Sequence, residues 1–181
     1  MDQPNLNTWN DMTANHLILL QCGKGKLQHR AKAEELYTGQ LFQKSLRYAH
    51  RLAALEAIEG NPLPEIQILS ALHGLVDPSD ILEPYEKTLN TMAQRSRRHW
   101  AEKVYAQLKS KFKFALPEKI TFLTSIKYRQ PLGKFVREYD LCRTAVPLKG
   151  LGIGQQMQFL DQEYFNMGSR IHLLTTDQVN Q

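Results

Sequence analysis

Cysteine is scarce in this sequence: among 181 residues, only Cys22 and Cys142 occur. Two thiols cannot build a disulfide framework or a four-ligand zinc site by themselves, and both lie at or beside apolar runs, where a reduced buried thiol is the default. No apolar run reaches the roughly 18 residues that a membrane helix needs. Residues 1–15 are polar and lack the basic and apolar regions of a signal peptide. The sequence therefore predicts a cytoplasmic protein with a loosely held N-terminal arm over 1–15 and no membrane contact.

Positive charge is in modest excess. Lys and Arg number 23 against 18 for Asp and Glu, which gives a net charge of +5 and a pI near 9.2. Cationic side chains replace counterions along phosphates, so this balance is compatible with a polyanionic partner. A mildly basic protein without such a partner has the same balance, and charge alone leaves both interpretations open.

Internal repeats and low-complexity segments are also absent, and a hydrophobic content of 42 % suits one buried domain over 16–181. Short apolar segments predict strands, and the amphipathic segments between them predict helices. The predicted strands are 16–22, 66–71, 119–125 and about 143–148, and the predicted helices are 40–59, 91–112, 129–139 and about 153–166. This alternation is typical of crossover units. The predicted fold class is therefore α/β, with a mostly parallel sheet flanked by helices.

Unusual residues follow each predicted strand, where ligands of open α/β sheets collect. The first such loop reads CGKGKL, residues 22–27. Its spacing does not fit the phosphate-binding pattern G-x-x-x-x-G-K-[ST], and no hydroxyl follows the lysines. Gly23, Lys24 and Lys26 instead predict a loop whose backbone approaches an anion closely, against the alternative of a solvated turn.

The segment ELYTGQLF, residues 35–42, predicts the start of a helix. Tyr37 or Thr38 would cap a helix that begins near Gly39, and the amino end of a helix attracts anions. A capped helix without any ligand is the alternative.

The segment SALHGLVDPSDILEPYEKTL, residues 70–89, is predicted to be a long loop between a strand and a helix, and such loops commonly have a function. Ser70 is not in a G-x-S-x-G elbow, and a lone His73 with scattered acids lacks metal-ligand spacing. Asp77 or Glu86 could act as a general base or stabilise a cationic sugar-like transition state. The alternative is that these acids cap a turn around Pro78.

The segment LKGLGIGQQMQFL, residues 148–160, has the glycine rhythm of helix-hairpin-helix elements, which bind nucleic-acid backbones through main-chain N–H groups. The alternative is a glycine-rich turn from strand to helix. Basic residues cluster in 95–100 and 109–114, where a solvated helix face competes with contact to a phosphate backbone. The candidate backbone-binding residues are Lys149, Gly150, Gly152, Gly154, Gln155, Arg97 and Arg98.

Together, CGKGKL, LYTGQLF, ILSALHGLVDP and PYEKTL resemble the YaaA-like superfamily, and most closely its small prokaryotic and phage-associated branch. The resemblance covers roughly residues 16–160. It implies an α/β fold with a basic cleft, DNA binding and a helix-hairpin-helix-like element. Related proteins exchange or remove nucleobases, so the resemblance implies a nucleobase glycosylase. Where relatives often have Asp after the Pro-Tyr pair, this chain has Glu86. The matching positions are Cys22, Lys24, Lys26, Tyr37, Thr38, Gly39, Ser70, His73, Gly74, Asp77, Pro84, Tyr85, Glu86 and Thr88.

The leading hypothesis is accordingly a DNA glycosylase that excises a modified base from a nucleotide turned out of the helix, in defence against phages with modified DNA. It needs no metal, no cofactor and no obligate protein partner. A lysine that attacks the sugar and cleaves the strand is a further possibility. The candidate catalytic residues are Asp77, Glu86, Lys26 and His73. The candidate substrate-binding residues are Cys22, Gly23, Lys24, Tyr37, Thr38, Gly39, Ser70, Tyr85, Thr88 and Tyr128, and one of the three tyrosines would stack on the base.

Two other functions remain open. One is a DNA-binding protein without chemistry, which would not need Asp77 or Glu86. The other is an enzyme that acts on free nucleotides or nucleosides, whose binding would depend little on DNA length. Strong loss of binding with rising salt favours the DNA hypotheses.

Overall fold

The computed structural model describes residues 16–113, 117–133 and 143–179. The predicted arm over 1–15 and most of the predicted helix over 129–139 lie outside these residues. In chain order the elements are β1 His16–Gln21, β2 Ala31–Lys32, α1 Ala33–Leu36, α2 Gln40–Ile58, β3 Glu65–Ser70, β4 Gly74–Val76, β5 Ile81–Leu82, α3 Gln94–Lys111, β6 Lys119–Leu123, α4 Ile126–Arg129, a 3₁₀ turn Gln130–Leu132, β7 Arg143–Ala145 and α5 Ile153–Val179.

A five-stranded sheet in the order β4-β3-β1-β6-β7 forms the centre of the fold. β1 pairs in parallel with β3 and β6, and β6 in parallel with β7, whereas β4 runs antiparallel to β3. Leu17 to Leu20 of β1 are all fully buried. Because successive side chains point to opposite faces, both faces of this strand are covered. The predicted α/β fold with a mostly parallel sheet is confirmed.

Several predicted boundaries differ from those observed. α2 is preceded by Gly39 and has no side-chain cap, so neither Tyr37 nor Thr38 caps it. α3 begins at Gln94 after Ala93 rather than near Asn90. α5 extends to Val179, thirteen residues beyond the predicted end at 166. Helix ends depend on tertiary packing as well as on local sequence, which explains why the boundaries were missed.

The segment 70–89 is not a structureless loop. It contains β4, which returns along β3, and β5, which pairs with β2 in a separate two-stranded sheet. The reversal occurs at Gly74, which has a φ of +82°. Three-residue and two-residue strands are too short to show an alternating pattern, so the sequence predicted a loop here.

α5 packs along α2, where polar contacts join the two helices. Lys44 pairs with Asp161, and Arg51 donates a hydrogen bond to the Tyr164 hydroxyl at 2.6 Å. The Arg51 guanidinium also lies 4.2 Å from the centre of the Tyr164 ring, a cation–π distance. These contacts hold α5 alongside α2 with the two helices running in the same direction. Among the described residues, no helix combines the length and the apolar character needed to span a bilayer.

A cavity at the carboxyl ends of the central strands

A cavity of about 430 Å³ lies beyond the carboxyl ends of β1 and β6, the position at which open α/β sheets bind ligands. The two strands, the amino ends of α2 and α5, and the segment before α3 supply its walls. The polar and charged lining residues are Gln21, Lys24, Gln40, Ser45, Lys87, Thr88, Asn90, Thr124, Ser125, Tyr128 and Gln156; the apolar ones include Phe42, Leu123, Leu148 and Met157.

The described lining residues include two lysines and no carboxylate. Lys24 enters from the loop after β1, and Lys87 from the segment before α3. The first turn of α2 also faces the cavity, and no side chain caps its free backbone N–H groups. An uncapped amino end of a helix carries a partial positive charge. The cavity is therefore suited to an anionic ligand.

Hydrogen bonds hold the CGKGKL loop against the LYTG segment. Leu27 N–H donates to the Leu36 carbonyl at 2.9 Å, and Thr38 N–H donates to the Gly25 carbonyl at 3.0 Å. A Cβ on Gly25 would lie 3.0 Å from the Thr38 hydroxyl, which explains why a glycine stands there. The structure thus brings together two motifs that the sequence singled out separately.

Behind this loop lies a buried network of hydroxyl groups. The Tyr85 hydroxyl lies 2.9 Å from that of Tyr37 and 2.8 Å from that of Ser70. Trp100 donates its indole N–H to the Ser70 carbonyl at 2.8 Å. Burial raises the pKa of Tyr37 to about 12 and also raises the pKa of Tyr85, so both phenols stay protonated at neutral pH. The network fixes the segment 70–89 against the loop after β1.

The tyrosines predicted to stack on a base have different surroundings. Tyr37 is fully buried, and Tyr128 is buried with its hydroxyl 3.3 Å from the Cys22 sulfur. Burial, together with the nearby Cys22, raises the pKa of Tyr128. Tyr85 is half-buried, but the Lys26 ammonium lies over its ring, 4.3 Å from the centre. Of the three, only Tyr128 lines the cavity.

Asp77 lies away from the cavity. It follows Val76, which pairs with Ile68, so the antiparallel β4 has carried the chain about 10 Å back from the end of β3. Its carboxylate accepts hydrogen bonds from the Gln67 amide and from the hydroxyl and backbone N–H of Ser79. Burial opposes the ionisation of Asp77, but these bonds outweigh it and lower the pKa. Asp77 thus stabilises the turn around Pro78 through its bonds to Ser79, which is the alternative to a catalytic role that the sequence left open.

The other three candidate catalytic residues also lie outside the cavity lining. Glu86 is exposed, next in sequence to Lys87 of the cavity rim. Lys26 bonds to the Lys24 carbonyl and covers Tyr85. His73 packs its ring edge against Tyr85, and its buried Nε2 has no partner among the described residues. Burial and then the charge of Lys103 lower the pKa of His73, so the imidazole is neutral at pH 7.

A basic groove of about 590 Å³ adjoins the cavity, and Lys87 lines both. Its other cationic or titratable residues are Arg95, His99 and Lys103, and its apolar floor includes Trp100. Arg98 is exposed on the same helix, and Arg97 instead donates to the Met92 carbonyl at 2.9 Å. The described groove lining contains no acid. The predicted basic segment 95–100 thus contributes Arg95 and His99 to the groove. The two predicted residues Arg97 and Arg98 are not among the described residues that line it.

The glycine-rich segment near the C-terminus forms a strand, a turn and a helix. β7 directly precedes the turn, and α5 begins at Ile153. Gly150 has a φ of +80°, and Gln155 accepts a hydrogen bond from Gly152 N–H at 3.0 Å. The helix-hairpin-helix element is not confirmed. The predicted backbone-binding residues Lys149, Gly150, Gly152, Gly154 and Gln155 are all exposed, next to Ile153 and Gln156 of the cavity wall.

Of the residues predicted to bind substrate, six line the cavity: Cys22, Gly23, Lys24, Gly39, Thr88 and Tyr128. Sequence reasoning missed Lys87, Thr124 and Asn90, as well as Arg95 of the groove. Thr124 and Ser125 stand at the end of a predicted strand, and Lys87 lies within PYEKTL, so position relative to the strands and the motif was the available signal. No group of described residues has the composition of a metal site.

The fold and the site define an α/β protein with a cavity at its strand ends whose described lining includes two lysines and no carboxylate. The chain belongs to the DUF6884 family, a family of unknown function whose model matches residues 17–162. No curated protein and no solved structure matches the chain. The matched range runs from the second residue of β1 to the first turns of α5, and it includes every described lining residue of the cavity.

Proposed function

We propose that the protein binds DNA along the basic groove, takes one nucleotide into the cavity and hydrolyses the N-glycosidic bond of a modified base. The observation that carries the proposal is the continuity of the two surfaces. Lys87 lines both, and the described lining of each contains cations and no carboxylate. The resemblance to the YaaA-like superfamily supports base removal and is itself a hypothesis.

The groove has the chemistry of a surface for the phosphate backbone. Arg95 and Lys103 both lie on the side of α3 that faces the groove, about two helical turns apart. Both side chains are positively charged at neutral pH. Each lysine or arginine that contacts a phosphate releases condensed counterions, which makes binding favourable and dependent on salt. The apolar Met92 and Trp100 also line the groove and offer surface that a sugar can contact.

The cavity has the size and the polar groups that a nucleotide needs. Its volume falls in the range of about 300–1,000 Å³ typical of small-molecule sites. Amide side chains at Asn90 and Gln156 provide donors and acceptors of the kind that pair with the edges of bases. A base inside a duplex cannot reach such a cavity, so the target nucleotide must be turned out of the stack.

Glu86 is the candidate for the catalytic carboxylate. Of the two acids singled out in the sequence, Asp77 lies about 10 Å back along β3 and is held by Ser79 and Gln67. Glu86 is exposed and immediately precedes Lys87 at the rim. Its carboxylate would stabilise the developing sugar cation and orient the water, whose oxygen joins C1′ while the base leaves with a proton.

A DNA-binding protein without chemistry is the second candidate function. The observation that favours it is the absence of any carboxylate from the described lining of the cavity. Under this function the groove and the cavity hold DNA, and Glu86 contributes only surface charge.

Abasic-site formation separates the two functions. Purified protein is incubated with plain and with hypermodified phage DNA, and abasic sites are detected with an aldehyde-reactive label and alkali. We expect label on modified DNA alone, reduced at least tenfold by Glu86→Gln and unchanged by the matched variant Asp77→Asn at equal folded fraction. Salt-sensitive DNA binding without abasic sites on any DNA would establish the second function. Equal activity of Glu86→Gln and the parent would remove Glu86 from the mechanism.

A further inference from the structure

Thr124 is a buried hydroxyl without a partner at the wall of the cavity. Its side chain is 6 % exposed, and its Oγ1 has no hydrogen-bond partner among the described residues. An unpaired buried hydroxyl costs free energy, and most such groups in folded proteins have a partner. Thr124 lines the cavity directly after β6. Its Oγ1 has almost no accessible surface, so a ligand would gain this partner through rotation of the Thr124 side chain towards the cavity.

The amino end of α2 lines the same cavity. Gly39, Gln40, Leu41 and Phe42 all line it, and no side chain caps the helix. The first intrahelical bond runs from Gln43 N–H to the Gly39 carbonyl, so the N–H groups of the three preceding residues have no partner within the helix. α2 has nineteen residues, long enough for its dipole to favour an anion at this end.

Lys24 completes the arrangement from the loop after β1. It is exposed, lines the cavity and has no acidic neighbour among the described lining residues. Main-chain N–H groups at a helix start, a hydroxyl donor and a lysine are together the groups that proteins use to bind phosphate. A carboxylate ligand would use fewer of these donors, because a phosphate offers three oxygens to separate partners.

We infer that the cavity contains a phosphate-binding position formed by the amino end of α2, the Thr124 hydroxyl and Lys24, and that it takes the phosphate of a nucleotide. This inference deepens the proposed function, because it assigns the part of the cavity that receives the phosphate of the seated nucleotide. The Asn90 amide then remains for the base, together with the Gln156 amide, one N–H of which donates to the Leu151 carbonyl at 2.7 Å. A free nucleoside 5′-monophosphate presents a monoester with three terminal oxygens, and a nucleotide within DNA presents a diester with two, so both offer anionic oxygens to these donors.

Gly39 provides a test in which the fold is not weakened. A Cβ there would meet no atom within 4 Å, and its φ of −64° suits any residue. Gly39→Asp adds a helix cap, which stabilises α2, and places a carboxylate where the phosphate would bind. Gly39→Asn adds the same cap without the charge. Loss of phosphate binding with a retained or raised melting temperature therefore cannot come from unfolding.

Thr124→Val tests the hydroxyl directly. Valine has nearly the same shape and removes the unpaired Oγ1, so the free protein should be at least as stable as the parent. The ligands are thymidine, thymidine 5′-monophosphate and inorganic phosphate, measured by calorimetry, and a short single-stranded oligonucleotide measured in parallel. We expect the monophosphate to bind at least tenfold more tightly than thymidine. Thr124→Val should reduce that ratio about threefold, and Gly39→Asp should abolish it, with Gly39→Asn intermediate.

Equal binding of thymidine and its monophosphate, or a ratio unchanged in Gly39→Asp, would overturn the inference. Destabilisation by Thr124→Val would also count against it, because the hydroxyl would then have a structural partner. The outcomes are separate from those of the proposed function. Tight monophosphate binding without binding of the oligonucleotide would leave the phosphate position intact and overturn the DNA function, favouring an enzyme of free nucleotides.

Discussion

The Oε1 atom of Gln107 lies 2.2 Å from the position that a Cβ on Gly74 would occupy. Gln107 cannot simply move, because it accepts a hydrogen bond from Leu75 N–H at 2.9 Å and donates to the carbonyls of His73 and Leu75. The side chain thus substitutes for a neighbouring strand at the outer edge of β4. A single amide from α3 holds the reversal that follows β3.

We therefore expect Gly74→Ala to destabilise the protein by about 2–4 kcal/mol, from the positive φ and from the lost Gln107 bonds. Gly60→Ala is the matched control, since Gly60 has a φ of +81° and open space around it. It should cost only about 1 kcal/mol. Urea unfolding measures both. Equal costs would show that Gln107 moves aside without loss.

The Ser70 hydroxyl connects the half-buried Tyr85 side chain to a backbone N–H. It lies 2.8 Å from the Tyr85 hydroxyl and accepts from His73 N–H at 3.0 Å. Ser70→Ala should destabilise the fold by about 1–3 kcal/mol, because the partly buried His73 N–H then loses its acceptor. Tyr85→Phe removes the hydroxyl that bonds to Ser70 and Tyr37, but it leaves the His73 N–H paired with Ser70 and leaves Ser70 as a partner for Tyr37, so it should cost less. Chemical denaturation of both variants checks the order, and the reverse order would contradict it.

His16 links β1 to α2 and β6. Its Nδ1 lies 2.9 Å from the Glu56 carboxylate, its Nε2 2.8 Å from the Thr121 hydroxyl, and Lys119 also bonds to Glu56. Burial lowers the pKa of His16, and the Lys119 charge adds to that, against the raising effect of Glu56. The imidazole is therefore neutral in the native state near pH 7, and the contact with Glu56 is a hydrogen bond.

Because the native pKa of His16 lies below the unfolded value of about 6.5, the unfolded chain binds the proton first as pH falls. The contribution of His16 to the free energy of unfolding is fully present above pH 6.5 and decreases as the pH falls below it. The total loss is about 1.4 kcal/mol for each pH unit that separates the native and unfolded pKa values. Melting temperatures at pH 7.5 and 5.5 measure the loss. His16→Gln should show a smaller difference between the two pH values. An equal difference would assign the loss to another group, such as His73.

Two lysines distinguish the surfaces proposed for the DNA backbone. Lys103 lines the basic groove, and Lys149 lies in the exposed turn before α5. If the groove binds phosphates, Lys103→Ala should weaken DNA binding and reduce the slope of log K against log salt by about one. Lys149→Ala should change neither. The opposite pattern, read from binding isotherms at several salt concentrations, would move the interface to the turn.

The sheet could be predicted because its central strands are continuous apolar runs, and residues 17–20 are buried on both faces as such runs require. Lys24 and Thr88 were found because loops after parallel strands converge. Asp77 was misplaced because Gly74 reverses the chain within three residues of β3, too few to produce a pattern. Thr124 could not be found from the sequence, since its significance is a missing partner, which only the packed structure reveals.

The packing of α5 on α2 has a consequence for biosynthesis. Ile153, Gln156 and Met157 form one wall of the cavity, and the Arg51 contact with Tyr164 holds that wall in position. The sheet from β1 to β6 can assemble while the chain is still emerging from the ribosome, because its partners precede α5. The cavity cannot. A nascent chain therefore has the phosphate-binding residues in place before α5 docks, and it gains the wall formed by Ile153, Gln156 and Met157 only afterwards.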